Sequence, residues 1–160
     1  MKNEDYLNLT YPPQWVAKIL HHCISGAILQ NNRGLKTELV YCIIPLIADD
    51  DVRKYMSRAI NTSTFFSIFE LKMKNHQEFL IEFSEKYQSF YNITNNGLIY
   101  LGNIEKIEIG EFLFTPLTCK PKKSERNYDY EFERAAFYLG QLFAKEDPKN
   151  IFLKLGMVPK

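Results

Sequence analysis

The sequence predicts a mainly α (α+β) domain, a compact set of helices with one small β-hairpin. Apolar residues recur at the 3.6 period through most of the chain. Proline, aspartate and Ser/Thr clusters stand where helices would begin. The period changes to two only once, between residues 98 and 114.

Residues 1–12 are polar and Asn-rich and read as an N-terminal arm, and residues 13–160 read as a single domain. Pro12-Pro13 ends the arm and opens a helix, since proline is tolerated in the first turn. Val16, Ile19, Leu20, Cys23, Ile24, Ala27 and Ile28 form its apolar stripe, with Lys18, His22, Ser25 and Gln30 off it. Asn31-Asn32-Arg33-Gly34 is the stop, with Gly34 suited to a left-handed cap. Thr37 can cap the next helix, whose Leu39, Val40, Ile43, Ile44, Leu46 and Ile47 are apolar nearly all round and so buried. Pro45 should kink or end it, because it removes a backbone donor. Asp49-Asp50-Asp51 supplies a cap and negative charge for a helix over 52–59.

Asn61-Thr62-Ser63-Thr64 is a third start signal, leading into Phe65, Phe66, Ile68, Phe69 and Leu71. Residues 76–96 read as the longest helix, with Phe79, Leu80, Phe83, Tyr87, Phe90 and Tyr91 on one face and Asn95-Asn96-Gly97 as its end. The two-residue period over 98–101 and 106–109 then predicts a hairpin, and Phe112-Leu113-Phe114 a third short strand. Helices followed by a hairpin are also the order of a winged helix. Residues 116–130 read as a solvated loop. The chain closes on a helix–turn–helix clasp: Phe132, Ala135, Ala136, Leu139, Leu142 and Phe143 form one stripe with Gly140 inside it. Asp147-Pro148 opens the second helix, which carries Ile151, Phe152 and Leu155 and stops at Gly156.

A chain of 160 residues fits one domain, able to bury about two thirds of the surface its unfolded form exposes. Aromatics make up 14%, with 12 Phe and 10 Tyr, a surplus that suggests an adhesive surface. Lys+Arg (20) balance Asp+Glu (19), which argues against a dedicated nucleic-acid binder. Cys23, Cys42 and Cys119 are odd in number and widely spaced, which fits free thiols in a reducing cytoplasm. The polar N-terminus does not read as a signal peptide, and the apolar run over 39–48 is too short to span a bilayer.

The candidates for chemistry are few. His21-His22-Cys23 point about 100° apart on a helix and cannot easily converge on one metal, and His76 has no metal-type partner nearby in sequence. Asp49, Asp50 and Asp51 lack the alternating ligands of a calcium loop and read as a cap; a carboxylate network would need Glu70 or Glu78. No P-loop, G-x-G-x-x-G, G-x-S-x-G or H-E-x-x-H pattern occurs. The sequence therefore points to no catalytic residue, cofactor or metal in this chain. Lys120, Lys122, Lys123 and Arg126 make a basic loop; it reads as a soluble linker beside Glu125 and Asp129, with phosphate contact next to a wing-like hairpin as the alternative. Arg53 and Lys54 can pair with the acidic triplet or meet a partner.

Three blocks carry a resemblance. They are the first helix over residues 19–29; Leu39, Pro45, Leu46, Arg53 and Thr62-Ser63-Thr64; and Ala135, Leu139-Gly140, Phe143-Ala144, Ile151-Phe152 and Leu155-Gly156. Together they resemble the middle component of bacterial three-component ABC systems, the group that includes the Lamassu defence operons. The resemblance leaves out the arm and the 116–130 loop. It departs from the family where His22-Cys23 or Ser25-Gly26 replaces an Asn-Pro, and where Phe143 stands for a Trp.

The resemblance implies a non-catalytic adaptor in anti-phage or anti-plasmid defence. Its partners would be an SMC-like or Rad50-like ABC ATPase, which would hold ATP and Mg and sense foreign DNA, and an effector, often a nuclease. The adaptor would bridge the two and restrain the effector until DNA engages the ATPase, meeting DNA itself through the complex. The residues assigned to the partner interface are Trp15, Arg53, Arg58, Phe65 and Phe66. The alternative reading is a stand-alone winged-helix DNA binder.

Overall fold

The computed structural model describes residues 3–60, 62–69 and 76–157. Helix α1 (Asn3–Thr10) occupies what the sequence read as an arm, and its Leu7, with the following Tyr11, packs on the core. Helix α2 (Pro13–Asn31) starts with proline in its first turn, as expected, but ends one step early. Its left-handed cap is Asn32 (φ 62°), while Gly34 (φ 111°) comes after it. Gly34 is needed there because a β-carbon would meet the Leu113 carbonyl. His22 and Ser25, placed off the apolar stripe by periodicity, are buried, so α2 is covered on nearly every side.

Strand β1 (Leu35–Lys36) leads into a 3-10 turn (Thr37–Leu39) and helix α3 (Val40–Ala48). Thr37 does not cap that helix; its hydroxyl donates to the Gly110 carbonyl at 2.6 Å. The helix continues past Pro45 for three residues, to Ala48. Asp49 then caps α4 (Asp50–Met56), its carboxylate accepting from the Val52 amide at 3.0 Å. The start of α5 (Phe65–Phe69) is a reciprocal cap: Ser67 N–H donates to Thr64 Oγ1 (3.0 Å) and Thr64 N–H to Ser67 Oγ (2.9 Å). Asn61, Glu70 and Leu71 of the sequence reading lie outside the described residues.

The largest correction falls on residues 76–109. Where one long helix and a hairpin strand were expected, two helices follow each other, α6 (His76–Ser89) and α7 (Tyr91–Ile104), with the break at Phe90. Asn95-Asn96-Gly97 does not end a helix; it lies inside α7, and Gly97 lets α7 close on Val16 of α2, where a β-carbon would sit 2.2 Å from Val16 Cγ1. Residues 98–101 are therefore helical, and the hairpin forms later, from β2 (Glu108–Ile109) and β3 (Phe112–Phe114). The sheet is antiparallel in the order β1-β3-β2, with Leu35 opposite Leu113 and Ile109 opposite Leu113.

Helices α8 (Tyr130–Ala144) and α9 (Pro148–Lys154) form the expected clasp, capped by Asp147 and ended by left-handed Gly156. The core runs between α2 and α8; α7 packs on α2, α4 and α5 pack on α8, and α3 touches α2, α7 and α8. Much of the aromatic surplus lies inside it. Phe65 stacks on Phe69 (5.1 Å), Phe69 meets Phe79 edge-on (5.2 Å), and Phe79 meets Phe83 (5.4 Å). The result is a mainly α domain with a small three-stranded sheet.

Candidate interaction surfaces

The residues assigned to a partner interface divide by position. Trp15, half-buried, packs edge-on against Phe132 (5.3 Å) and tilted against Tyr11 (5.6 Å). Arg53 lies over the same Phe132 ring, 4.2 Å from its centre. Its guanidinium donates to the Ile47 carbonyl (3.1 Å), Asp50 (2.6 Å) and Glu131 (3.3 Å). It thus joins the end of α3, α4 and α8 within the chain. Phe65 is fully buried between Phe69 and Phe143 and presents no surface.

Arg58 and Phe66 differ. Arg58 is exposed, and among the described residues none forms a hydrogen bond or ion pair with its guanidinium. Phe66 is 43% exposed, with the Lys154 ammonium 5.4 Å from its ring centre. Exposed Ile60 and Leu153 lie on the α4–α5 connection and on α9.

The tested metal candidates diverge. His21 Nε2 lies 2.7 Å from the Leu117 carbonyl, His22 Nδ1 lies 2.8 Å from the Lys18 carbonyl, and Cys23 is buried with its thiol pushed up by desolvation. Asp49 caps α4, Asp50 pairs with Arg53, and Asp51 points to solvent. Among the described residues no three His, Cys, Asp or Glu side chains are placed to hold a metal.

Sequence reasoning missed a polar seam between α2, α8 and the segment over 115–129. Glu133 is buried; it accepts from Asn127 Nδ2 (2.9 Å), lies 3.5 Å from Lys18 Nζ and 3.9 Å from His22 Nε2. Lys18 also pairs with Asp129 at 2.7 Å. Burial holds the His22 imidazole below its ordinary range, against the pull of its bond to the Lys18 carbonyl and of Glu133. The only trace of this seam in the sequence is a histidine and a serine set one turn apart beside an apolar stripe.

The basic loop is exposed at Lys120, Lys122, Lys123 and Arg126. The helix before the hairpin, α7, carries no Lys or Arg, and the hairpin sets Glu108 and Glu111 against Lys106. A groove-reading helix and wing would need cations there; the cations lie on the loop that follows. On the outer face of the sheet, a shallow hollow of about 510 Å³ is bordered by Arg33, Glu108, Phe112 and Phe114.

The family model for the ABC-three component (ABC-3C) system Middle Component 3 matches residues 2–159. The chain belongs to that family. The match runs through the N-terminal helix and the 116–130 loop, both outside the blocks that first suggested it. No curated protein and no solved structure matches the chain. As a middle component, it is one part of a three-component system, and the other components of that system are its partners. No helix among the described residues is long and apolar enough to cross a membrane.

Proposed function

We propose that this middle component is a non-catalytic adaptor that bridges an SMC-like or Rad50-like ABC ATPase to an effector, a nuclease in the favoured form. It would restrain that effector until the ATPase engages foreign DNA, within a Lamassu-type anti-phage or anti-plasmid system in the cytoplasm. ATP and Mg belong to the ATPase. The observation that carries the reading is membership of the middle-component family along nearly the whole chain. The roles of several metal candidates support it: Asp49 caps a helix, the His21 and His22 rings bond backbone carbonyls, and Cys23 lies in the core.

The docking face proposed is Arg58 and Phe66, with Ile60, two residues after Arg58, and Leu153, next to the Lys154 whose ammonium lies over Phe66. An exposed arginine near exposed apolar side chains has the composition of an interface core. Trp15 and Arg53 support this face from within, by fixing α4 and α8, and Phe65 supports it as core. The test is co-purification of a tagged chain with the ATPase and effector components of its system. Arg58→Glu with Phe66→Glu should cut recovery of a partner about tenfold or more, as expected for loss of an interface hot spot, while melting stays as in the wild type. Undiminished recovery removes this face. ATP hydrolysis or nucleic-acid cleavage by the isolated chain, abolished by a substitution in it, would overturn the adaptor reading itself.

A further inference from the structure

We infer that the loop over 116–130 is a preorganised contact for the phosphate backbone of duplex DNA, made by Lys120, Lys122, Lys123 and Arg126. The inference starts from how the loop is held. Residues 116–129 form no helix or strand, yet the segment is fastened to α2 at both of its ends and braced within itself between them. The Leu117 carbonyl meets His21 Nε2 at 2.7 Å, and the Cys119 amide donates to Ser25 Oγ at 3.1 Å. Further along, Asn127 donates to the Lys122 carbonyl at 2.8 Å, and Asp129 accepts from Lys18 at 2.7 Å. Pro121 removes one more backbone freedom between the first two lysines. A loop so fastened loses little further entropy when a ligand arrives.

The same fastening sorts the charges. The acidic groups of the seam are turned inward or neutralised: Glu133 is buried against Asn127 and Lys18, and Asp129 is paired with Lys18. The four cations are turned outward, and the described residues give none of them an ion pair or a side-chain hydrogen bond. Glu125 is the exposed acid among them, and half-buried Glu105 lies near Cys119. Strong local positive charge on a nearly neutral chain is a patch with a direction rather than a general attraction. Tyr128, 91% exposed at the end of the loop, adds a ring and a hydroxyl beside the cations.

Residues 120–126 span at most about 25 Å of extended chain. Duplex DNA presents one negative charge per about 1.7 Å of its axis, so several phosphates fall within reach of four cations. Arg126 can take a phosphate oxygen pair with its planar fork, and the lysines act as point charges. The loop carries no set of Asn, Gln or Arg arranged on a helix to read base edges, so the contact is independent of base sequence.

The experiment is fluorescence anisotropy of a short labelled DNA duplex with the whole chain, titrated at salt between about 50 and 200 mM. The expected result is binding whose log K falls with log salt at a slope of about −3 to −4, one unit lost per cation contact. Replacing Lys120, Lys122, Lys123 and Arg126 by Gln should abolish that slope, and melting should be unchanged because all four are exposed. Replacing two exposed lysines elsewhere, Lys54→Gln and Lys149→Gln, should leave the binding as it was. His21→Ala with Ser25→Ala, which loosens the loop and keeps its charges, should weaken affinity several-fold with the slope retained. Wild-type binding by the four-site variant overturns the inference. So does competition by polyglutamate of matched charge as effective as by DNA, which would make the loop a site for acidic protein. The inference stands apart from the adaptor reading, since losing DNA affinity here leaves co-purification through Arg58 and Phe66 intact.

Discussion

A β-carbon built on Gly26 would lie 1.9 Å from the Phe137 carbonyl oxygen, and one built on Gly140 would lie 1.9 Å from the Cys23 carbonyl oxygen. Each glycine of one helix thus faces backbone of the other, and backbone cannot swing aside as a flexible side chain can. The crossing of α2 and α8 is set by these two missing methyl groups, and it brings Ala27, Ala135, Ala136 and Leu139 into the same core. Gly26→Ala or Gly140→Ala should each cost about 1–3 kcal/mol through overpacking, read as a melting temperature lower by about 2–4 °C per kcal/mol. The double variant should cost less than the sum, because the first methyl already pries the helices apart. Gly102, also helical, has nothing within 4 Å of its would-be β-carbon. Gly102→Ala should raise stability by about 0.5–1 kcal/mol from helix propensity alone. Equal effects at all three positions would show that the crossing is not glycine-limited.

At the scale of elements, Arg53 decides how α4 sits. Its three hydrogen bonds reach the last turn of α3, the first turn of α4 and the first turn of α8, and its plane covers Phe132. Arg53→Met keeps much of the stem but strips the Ile47 carbonyl of its donor. The loss should be about 1.5–3 kcal/mol, as for a bond made by a charged group, and Arg53→Lys should recover only part because it has no fork. Arg58→Met, made on the exposed neighbour, should leave melting unchanged. Equal melting of all three variants would return Arg53 to the surface.

The same elements show what was legible in the sequence. The helix over 13–31, the acidic cap at Asp49, the Thr64 start and the closing clasp were readable because each rests on a local rule, either a period or a capping atom, whereas α1 was read as an arm. The 91–104 helix was not readable either. Its Asn95-Asn96-Gly97 mimics a stop signal, but Gly97 is there to admit Val16 from α2, a contact distant in sequence. Thr37 looked like a cap and instead holds the hairpin turn through Gly110. At the candidate surfaces, all five residues were assigned to the surface alike, and the structure exposes Arg58 and Phe66. Arg53 and Phe65 were not readable as internal, because composition does not say which arginine or phenylalanine a neighbouring helix will cover.

For the whole molecule, ionisable groups shifted in opposite directions bracket the range in which the fold is most stable. His22 is held below its ordinary 6.5, first by burial and further by the positive charges of His21 and Lys18. The unfolded chain therefore takes up a proton near pH 6.5 that the folded chain resists. This contribution is full above 6.5 and is lost as pH falls below it. Burial pushes Asp129 up, but the bonds from Lys18 and Trp15 and the Lys18 charge outweigh it, so its carboxyl is held below 3.8 and adds a second, more acidic loss. On the alkaline side the signs reverse. Burial pushes the Cys23 and Cys42 thiols above 9.0, and burial with the Tyr91 hydroxyl pushes Tyr41 from 10.0 up to about 12. Folding then favours the protonated forms, and stability is lost as pH rises past 9. Thermal melts across a pH series should show a plateau between about pH 6.5 and 9, with each proton contributing a slope of at most about 1.4 kcal/mol per pH unit outside it. His22→Gln should flatten the first part of the acid limb and leave the alkaline limb as it is. An acid limb unchanged by that substitution would mean that the seam around Glu133 does not govern the stability of the fold.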